Sequence, residues 1–200
     1  IIGAGLDSRA YRFADRMPGV RFFEADLPAA VSRKRELVQA AMGRLQQTVA
    51  YVPVDYRKET MGAALKRAGY DPTAKTLFIC EMVTRYIDAA AVDRVFDEIQ
   101  KNAPAGSQLV FDYIFADLAR GDFSKMPGAR FMSVRVASCG YPWKFGIVPD
   151  QADQFVTSRG FGVLSDLDAG QLARRYLVRS DGTLDGRPVP FVRIMHAVVK

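Results

Sequence analysis

The first twelve residues read Ile1-Ile2-Gly3-Ala4-Gly5-Leu6-Asp7-Ser8-Arg9-Ala10-Tyr11-Arg12. Two β-branched residues lead into a Gly-x-Gly turn, and a segment suited to a helix follows the turn. Glycine at both turn positions lets the backbone come close to a nucleoside-type ligand, because a side chain there would block the approach. The pattern predicts the strand, turn and helix that open a nucleotide-binding α/β fold.

The residues around the glycines indicate which nucleoside ligand the turn would accept. A dinucleotide-binding turn has a third glycine where this chain has Ser8, and its helix N-terminus is left free for a pyrophosphate. Here Asp7 lies at that N-terminus, where a carboxylate would repel a phosphate but not a ligand with a positive sulfonium. The turn therefore favours S-adenosylmethionine over a nicotinamide dinucleotide.

The composition bounds the class of protein. The 200 residues are enough for one domain with a substantial core, and 49% of them are hydrophobic and 25% charged. The net charge of +6 comes from scattered basic residues, so we expect no nucleic-acid partner. No apolar run is long enough to span a bilayer, so we expect no membrane association. With two cysteines and one histidine, we expect no disulfide framework, no metal site and a cytoplasmic location.

Strand-like and helix-like segments alternate along most of the chain. This rhythm predicts a single α/β domain over residues 1–200, with a mostly parallel sheet and helices on both faces. The Asp181-Gly182 and Asp185-Gly186 turns predict that the last two strands pair in an antiparallel manner. In the first long helix, Arg33, Lys34 and Arg35 are expected on the exposed side. The predicted strands are residues 20–24, 49–54, 76–80, 108–113, 162–167 and 192–199, and the predicted helices are residues 28–47, 58–68, 89–102 and 150–158.

Residues 114–149 interrupt this rhythm with glycines, prolines and aromatic residues. We interpret them as an insertion that covers the carboxyl edge of the sheet, where α/β folds bind ligands. Trp143 and Tyr141 are candidates to wall an apolar substrate pocket, and an equal alternative is that Trp143 only anchors the insertion.

The beginning of the chain is unusually short. There is no initiator methionine, and only Ile1-Ile2 precede the turn, where a strand of about five residues is normal. We therefore expect that the first strand is cut and that an N-terminal segment of the protein is missing.

Acidic residues recur where the predicted parallel strands end. Asp26 follows the second strand, Asp55 the third and Glu81 the fourth. A carboxylate after the second strand can accept hydrogen bonds from both ribose hydroxyls of an adenosyl ligand, and one after the third can accept from the adenine amino group. A carboxylate after the fourth strand can face the ammonium and sulfonium end. The acids therefore predict an adenosyl site at this edge, although strand ends also tolerate acids because they are solvated.

With these motifs the chain resembles the leucine carboxyl methyltransferase family, which includes bacterial S-adenosylmethionine-dependent O-methyltransferases linked to polyketide or lipid-like substrates. The resemblance covers nearly the whole chain. It implies a Rossmann-like methyltransferase fold with a seven-stranded sheet, one strand of which is antiparallel. The residues that carry it are 3–12, 23–28 with Lys34, 52–56, 81–87, 104–107, 145–149 and 159–161.

The resemblance also implies roles for individual residues. Gly3 and Gly5 approach the methionine portion of the cofactor, Asp26 binds the ribose, Asp55 with the Tyr56 backbone binds the adenine, and Glu81 faces the methionine end. Tyr86 matches the tyrosine that closes the family's Glu-x-x-x-x-Tyr segment and is expected to face the substrate.

Three positions depart from the family pattern. The family usually has glycine where this chain has Met82, an aliphatic residue where it has Arg85, and leucine where it has Tyr56. Arg85 is a candidate to bind an acidic group of the substrate, and a surface position is an equal alternative. A further family feature, an N-terminal basic residue that pairs with the cofactor carboxylate, has no counterpart here.

Two other reactive residues are interpreted as structural. His196 lies in a predicted buried strand, where a hydrogen-bonded structural histidine is more common than a base. Cys80 lies in an apolar strand and is expected to be inert.

The expected activity is methyl transfer from S-adenosylmethionine to a carboxyl or hydroxyl group of a small molecule. No histidine lies in the predicted site, which favours an acceptor that is already acidic and needs no general base. Two alternatives are a nicotinamide-dependent oxidoreductase on a related fold and a cofactor-binding protein without turnover. No oligomeric state follows from these features.

Overall fold

A computed structural model describes all of residues 1–200. The chain forms six strands and eight α-helices, which alternate except for three successive helices between the fourth and fifth strands. The strands are β1 (Phe22–Asp26), β2 (Val49–Pro53), β3 (Leu77–Cys80), β4 (Gln108–Ile114), β5 (Phe161–Leu167) and β6 (Val192–Val199). The helices are α1 (Arg9–Phe13), α2 (Pro28–Met42), α3 (Met61–Arg67), α4 (Ala89–Asn102), α5 (Ala116–Ala119), α6 (Gly128–Ser138), α7 (Ala152–Thr157) and α8 (Ala169–Tyr176).

The strands form one two-stranded and one four-stranded sheet. β1 pairs with β2 in parallel, and the other sheet has the order β3-β4-β6-β5. β3 and β4 are parallel, whereas β6 is antiparallel to both of its neighbours, β4 and β5. The predicted antiparallel pairing of the last two strands is therefore confirmed.

The first three residues join the two sheets. The Ile2 amide donates to the carbonyl of Ile79 at 2.8 Å, and the Gly3 amide donates to the carbonyl of Ala25 at the same distance. Ile2 forms only an isolated parallel bridge with Ala25 and no strand of its own. The predicted single, mostly parallel seven-stranded sheet is not confirmed: six strands form two sheets, and the chain before the turn contributes only this bridge. The bridge brings the Gly-x-Gly turn between β1 and β3.

Helix α4 has the bounds that the sequence predicts, because its buried residues recur at regular intervals. It begins after Asp88, whose side chain accepts a hydrogen bond from the Ala91 amide at 2.7 Å, and it ends before Pro104. Its buried residues Val92, Phe96 and Ile99 recur at helical spacing. Phe96 packs edge-on against three aromatic rings, of which Phe111 lies 5.3 Å away between centroids. These contacts fix α4 on the four-stranded sheet.

Other boundaries and faces differ from the prediction. Helix α2 ends at Met42 rather than at residue 47, and α3 begins at Met61 rather than at residue 58. Lys34, expected on the exposed side of α2, is only 4% exposed. Helix α8 was not predicted, although Asp168 and Gln171 form a capping box at its start.

None of the helices combines the length and the apolar run that crossing a membrane would require. The cytoplasmic location stays a prediction.

Candidate functional site

A cavity of about 760 Å³ lies at the carboxyl ends of β1 and β3. Thirteen of its twenty lining residues are hydrophobic, which is typical of a small-molecule site. The residues from the strand ends and the following loops are Ile2, Gly3, Asp26, Leu27, Tyr56, Glu59, Thr60, Met82, Val83, Tyr86 and Ile87. The residues from α3, α4, α6 and the segment after α6 are Met61, Ala91, Arg94, Val95, Glu98, Arg135, Val136, Cys139 and Tyr141.

The two glycines of the turn have different reasons to be glycine. Both have a positive φ, +67° for Gly3 and +42° for Gly5. A Cβ on Gly3 would lie 2.3 Å from Cγ2 of Val83, so the protein's own packing requires glycine there. A Cβ on Gly5 would meet nothing within 4 Å. The backbone at Gly5 is therefore open to an approaching molecule.

Asp26 is held in a fixed orientation at the end of β1. One carboxylate oxygen accepts a hydrogen bond from the Gly5 amide at 2.7 Å, and the other accepts from the Leu27 amide at 2.7 Å. Each carboxylate oxygen has two acceptor positions, so both can still accept from a ligand. The predicted ribose-binding residue thus lines the cavity beside the glycine turn.

Asp55 and Tyr56, predicted together, take different positions. Asp55 does not line the cavity, and its carboxylate accepts hydrogen bonds from the Arg57 side chain and the Arg57 amide. These bonds lower the pKa of Asp55 to about 2. Tyr56 lines the cavity and is half exposed.

Glu81 is part of a charged cluster beside the turn and does not line the cavity. Its carboxylate accepts a hydrogen bond from Arg9, and Arg9 also pairs with Asp7 at 2.7 Å. Asp7 in turn accepts a hydrogen bond from the Arg9 amide at the start of α1. Burial opposes the charge on Asp7, but the hydrogen bonds from Arg9 outweigh it and lower the pKa. The carboxylate predicted at this helix N-terminus is therefore present and partnered.

Tyr86, predicted to face the substrate, lines the cavity, and its ring meets that of Tyr141 edge-on at 6.0 Å between centroids. The neighbouring residue Arg85 does not line the cavity. Arg85 is 1% exposed and forms a buried ion pair with Asp112 of β4, and burial lowers the pKa of its guanidinium. The structure places Arg85 neither on the surface nor against the cavity.

A second buried ion pair supports the glycine turn. Lys34 of α2 lies 2.8 Å from Glu24 of β1, which is 1% exposed, and also donates to the main-chain oxygen of Asp7 at 2.7 Å. The Tyr11 hydroxyl lies 3.0 Å from the other Glu24 oxygen. Sequence reasoning missed this network. The available signal was Glu24 itself, since a carboxylate within a buried strand requires a partner.

The remaining candidates are resolved by burial and contact. Trp143 is buried against Phe191 and does not line the cavity, whereas Tyr141 does. A ring nitrogen of His196 lies 2.8 Å from the side-chain oxygen of Gln108, so this histidine has a hydrogen-bond partner. Cys80 is buried, and burial raises the pKa of its thiol to about 12. No cluster of three or more His, Cys, Asp or Glu side chains could hold a metal ion.

The family model of the leucine carboxyl methyltransferases matches residues 1–100, which carry the turn, Asp26 and the cavity face of α4. The chain belongs to the leucine carboxyl methyltransferase family.

Relatives of this chain include proteins of mycobacteria. A protein of Mycobacteroides abscessus, named for S-adenosyl-L-methionine-dependent methyltransferase activity, is 35% identical over 128 residues, which are 60% of this chain and 42% of the relative. A protein of Mycobacterium avium with the same name is 30% identical over 195 residues, 95% of this chain and 56% of the relative. The chain thus spans about half the length of these relatives.

Solved structures agree on the fold. The mitomycin 7-O-methyltransferase MmcR superposes on all of this chain and 48% of its own, with a TM-score of 0.62 and 15% sequence identity. The family member described here therefore has an α/β methyltransferase-like fold.

Met82 is the position where this chain departs from the glycine usual in the family. It is the only non-glycine residue with a positive φ, +60°, and it lines the cavity with 51% of its surface exposed. Its amide donates to Asp112 at 2.5 Å. The Arg85–Asp112 pair therefore also holds the loop that presents Met82 to the cavity.

Proposed function

We propose that this protein is an S-adenosylmethionine-dependent O-methyltransferase whose acceptor is the carboxyl or hydroxyl group of a small polyketide-like or lipid-like molecule. The observation that carries the proposal is the placement of Asp26. Its carboxylate is fixed by the Gly5 and Leu27 amides and lines a cavity of about 760 Å³. A fixed, partly accessible carboxylate beside an open glycine turn is suited to bind two adjacent hydroxyl groups.

The residues around Asp26 fit an adenosyl cofactor. Gly5 leaves the backbone open, and Tyr56 and Met82 line the same cavity as Asp26. The sequence predicted an adenine contact for Asp55 together with Tyr56. Because Asp55 lies outside the cavity, we assign this contact to Tyr56 and its backbone. Glu81 is held by Arg9 and is assigned a charge-positioning role beside the turn. The cavity volume lies within the range of about 300–1,000 Å³ that is usual for small-molecule sites.

When bound, the cofactor supplies a methyl group on a positively charged sulfur. The contribution of this chain is to orient the acceptor oxygen for an in-line displacement and to exclude water. No histidine lines the cavity, and Tyr86 contributes a hydroxyl there. An acceptor oxygen that is already ionised near neutral pH needs no general base from these residues.

The nicotinamide alternative is disfavoured by Asp7. A dinucleotide would place its pyrophosphate at the N-terminus of α1. There the Asp7 carboxylate already accepts a hydrogen bond from the Arg9 amide at 2.7 Å, and its charge would repel the pyrophosphate. The names of the mycobacterial relatives also support a methyl donor. Binding without turnover remains the alternative that an activity measurement separates.

Calorimetric titration of the full-length protein with S-adenosylhomocysteine and with NADH tests the proposal. We expect binding of S-adenosylhomocysteine only. Asp26→Ala should weaken this binding by about 2 kcal/mol, because a charge-assisted anchor is lost. Asp15→Ala is the matched control, since Asp15 is exposed and outside the cavity. Preference for NADH, or equal affinity of Asp26→Ala and the unsubstituted protein, would remove the proposed cofactor site.

A further inference from the structure

We propose that the acceptor carries an anionic group, such as a carboxylate, that Arg94 and Arg135 bind away from the oxygen that is methylated. This inference rests on the proposed function and adds the substrate class. Arg94 and Arg135 were not singled out in the sequence. They take the role of binding an acidic group that the sequence suggested for Arg85, which is buried in an ion pair with Asp112.

Arg94 belongs to the face of α4 that lines the cavity. Ala91, Arg94, Val95 and Glu98 all line it, and their spacing places them on one side of the helix. Arg94 is exposed and forms no ion pair or side-chain hydrogen bond in the structure. Its guanidinium therefore has its donors available to a ligand in the cavity.

Arg135 approaches the same cavity from a different part of the chain. It lies in the last turn of α6, within residues 114–149, next to Val136 on the cavity wall. Its side chain is also exposed and also forms no ion pair or hydrogen bond. Two unpartnered guanidinium groups from separate elements thus line one largely apolar cavity.

The carboxylates that line the cavity already have partners. Asp26 accepts hydrogen bonds from two backbone amides. Glu59 pairs with Arg67, and Glu98 accepts a hydrogen bond from the Gly62 amide at 2.8 Å near the start of α3. The cations are therefore the charged groups of the cavity that lack a partner, and an anionic ligand would provide one.

The position of the arginines separates the anion from the reacting oxygen. The predicted cofactor residues come from the turn, the end of β1 and the loops after β2 and β3, whereas Arg94 and Arg135 come from helices. Most of the remaining lining is hydrophobic. The acceptor is therefore an amphipathic molecule, with an apolar body and a charged group bound by the arginines of α4 and α6.

Binding of 2-naphthoate and of its neutral analogue 2-naphthamide, followed by calorimetry, tests this proposal without methyl transfer. At low salt we expect naphthoate to bind about tenfold more tightly. Arg94→Gln and Arg135→Gln should each weaken naphthoate binding about threefold, since the ion pairs are partly exposed, and leave naphthamide binding unchanged. Arg130→Gln on α6 and Lys101→Gln on α4 are the controls, because both residues are exposed outside the cavity.

A second titration locates the anion. Saturating S-adenosylhomocysteine should leave naphthoate binding intact if the arginines hold a group apart from the cofactor. The proposal is overturned if naphthoate binds no better than naphthamide, including no binding of either, if both probes weaken equally in the variants, or if S-adenosylhomocysteine displaces naphthoate. Failure of the proposed function would be seen separately, as absence of S-adenosylhomocysteine binding in the first place.

Discussion

The ammonium group of Lys34 donates a hydrogen bond to the main-chain oxygen of Asp7 at 2.7 Å. Lys34 is 27 residues away in sequence and almost fully buried, and its charge is balanced by Glu24 at 2.8 Å. The pair thus connects α2 and β1 to the glycine turn. This contact adds to the hydrogen bonds that the Gly3 and Gly5 amides donate to Ala25 and Asp26, and together they hold the backbone of the turn.

Replacing Lys34 should therefore affect both folding and cofactor binding. Lys34→Met leaves the Glu24 carboxylate buried without a cation, and we expect the free energy of unfolding to fall by about 3–5 kcal/mol. Affinity for S-adenosylhomocysteine should also fall, because the Asp7 carbonyl is no longer held. Urea denaturation and calorimetry measure the two effects, with Lys66→Met on the exposed side of α3 as the control.

The double variant Lys34→Met/Glu24→Gln separates these effects. It should recover part of the stability, since no charge remains buried, but not the cofactor affinity. Full recovery of both would show that Lys34 acts only as a counter-ion.

The backbone at Met82 leads to a second prediction. A side chain in the left-handed region costs about 1–2 kcal/mol, and glycine removes this cost at the expense of some entropy. Met82→Gly should therefore stabilise the protein by about 0.5–1 kcal/mol in urea denaturation, because little buried surface is lost at this half-exposed position. Met82→Ala keeps the same φ and should not stabilise it. Equal gains for glycine and alanine would contradict the backbone explanation.

We expect substitution of Trp143 to lower stability and substitution of Tyr141 to weaken ligand binding. Trp143 packs in a small cluster with Ile114, Leu118 and Phe191, so Trp143→Ala should lower the free energy of unfolding by about 3–5 kcal/mol. Tyr141 is exposed and lines the cavity. Tyr141→Ala should cost less than about 1.5 kcal/mol but weaken the binding of 2-naphthamide. The reverse pattern, with Trp143→Ala weakening the probe most, would place Trp143 in the acceptor pocket.

The two cysteines give a chemical readout of the cavity. Cys139 is exposed and lines it, whereas Cys80 is buried with a pKa raised to about 12. At pH 8 Cys80 is therefore protonated as well as inaccessible. Of these two thiols, an aromatic disulfide reagent should modify only Cys139 in the folded protein and both in guanidinium chloride. Bound 2-naphthamide should slow the reaction of Cys139, and an unchanged rate would mean that the probe binds elsewhere.

The sequence predicted those features that depend on local patterns. Helix α4 and strand β6 have the predicted bounds, because apolar periodicity and the residues that begin or end each element agree. Asp26, chosen because the strand ends of a parallel sheet meet at one edge, and Tyr86, chosen from the family resemblance, both line the cavity. Their roles toward cofactor and substrate stay predictions.

Pairings across the fold could not be predicted in this way. Arg85 and Lys34 are polar residues in positions that look exposed, and only the three-dimensional arrangement shows the carboxylates that bury them. Arg94 was within the one helix predicted with correct bounds. Its place on the cavity depends on which face of α4 packs against the sheet, a property set by Phe96 and its aromatic neighbours.

The position of β6 has a consequence for the order of folding. β6 is last among the strands in sequence but lies between β4 and β5, pairing with each of them. During synthesis on the ribosome, neither β4 nor β5 can therefore complete its hydrogen bonds until residues 192–199 have been made. Contacts over such a sequence separation form slowly. Until then the edge of β4 that pairs with β6 lacks its partner, and we expect the partly synthesised chain to associate more readily than the complete sheet.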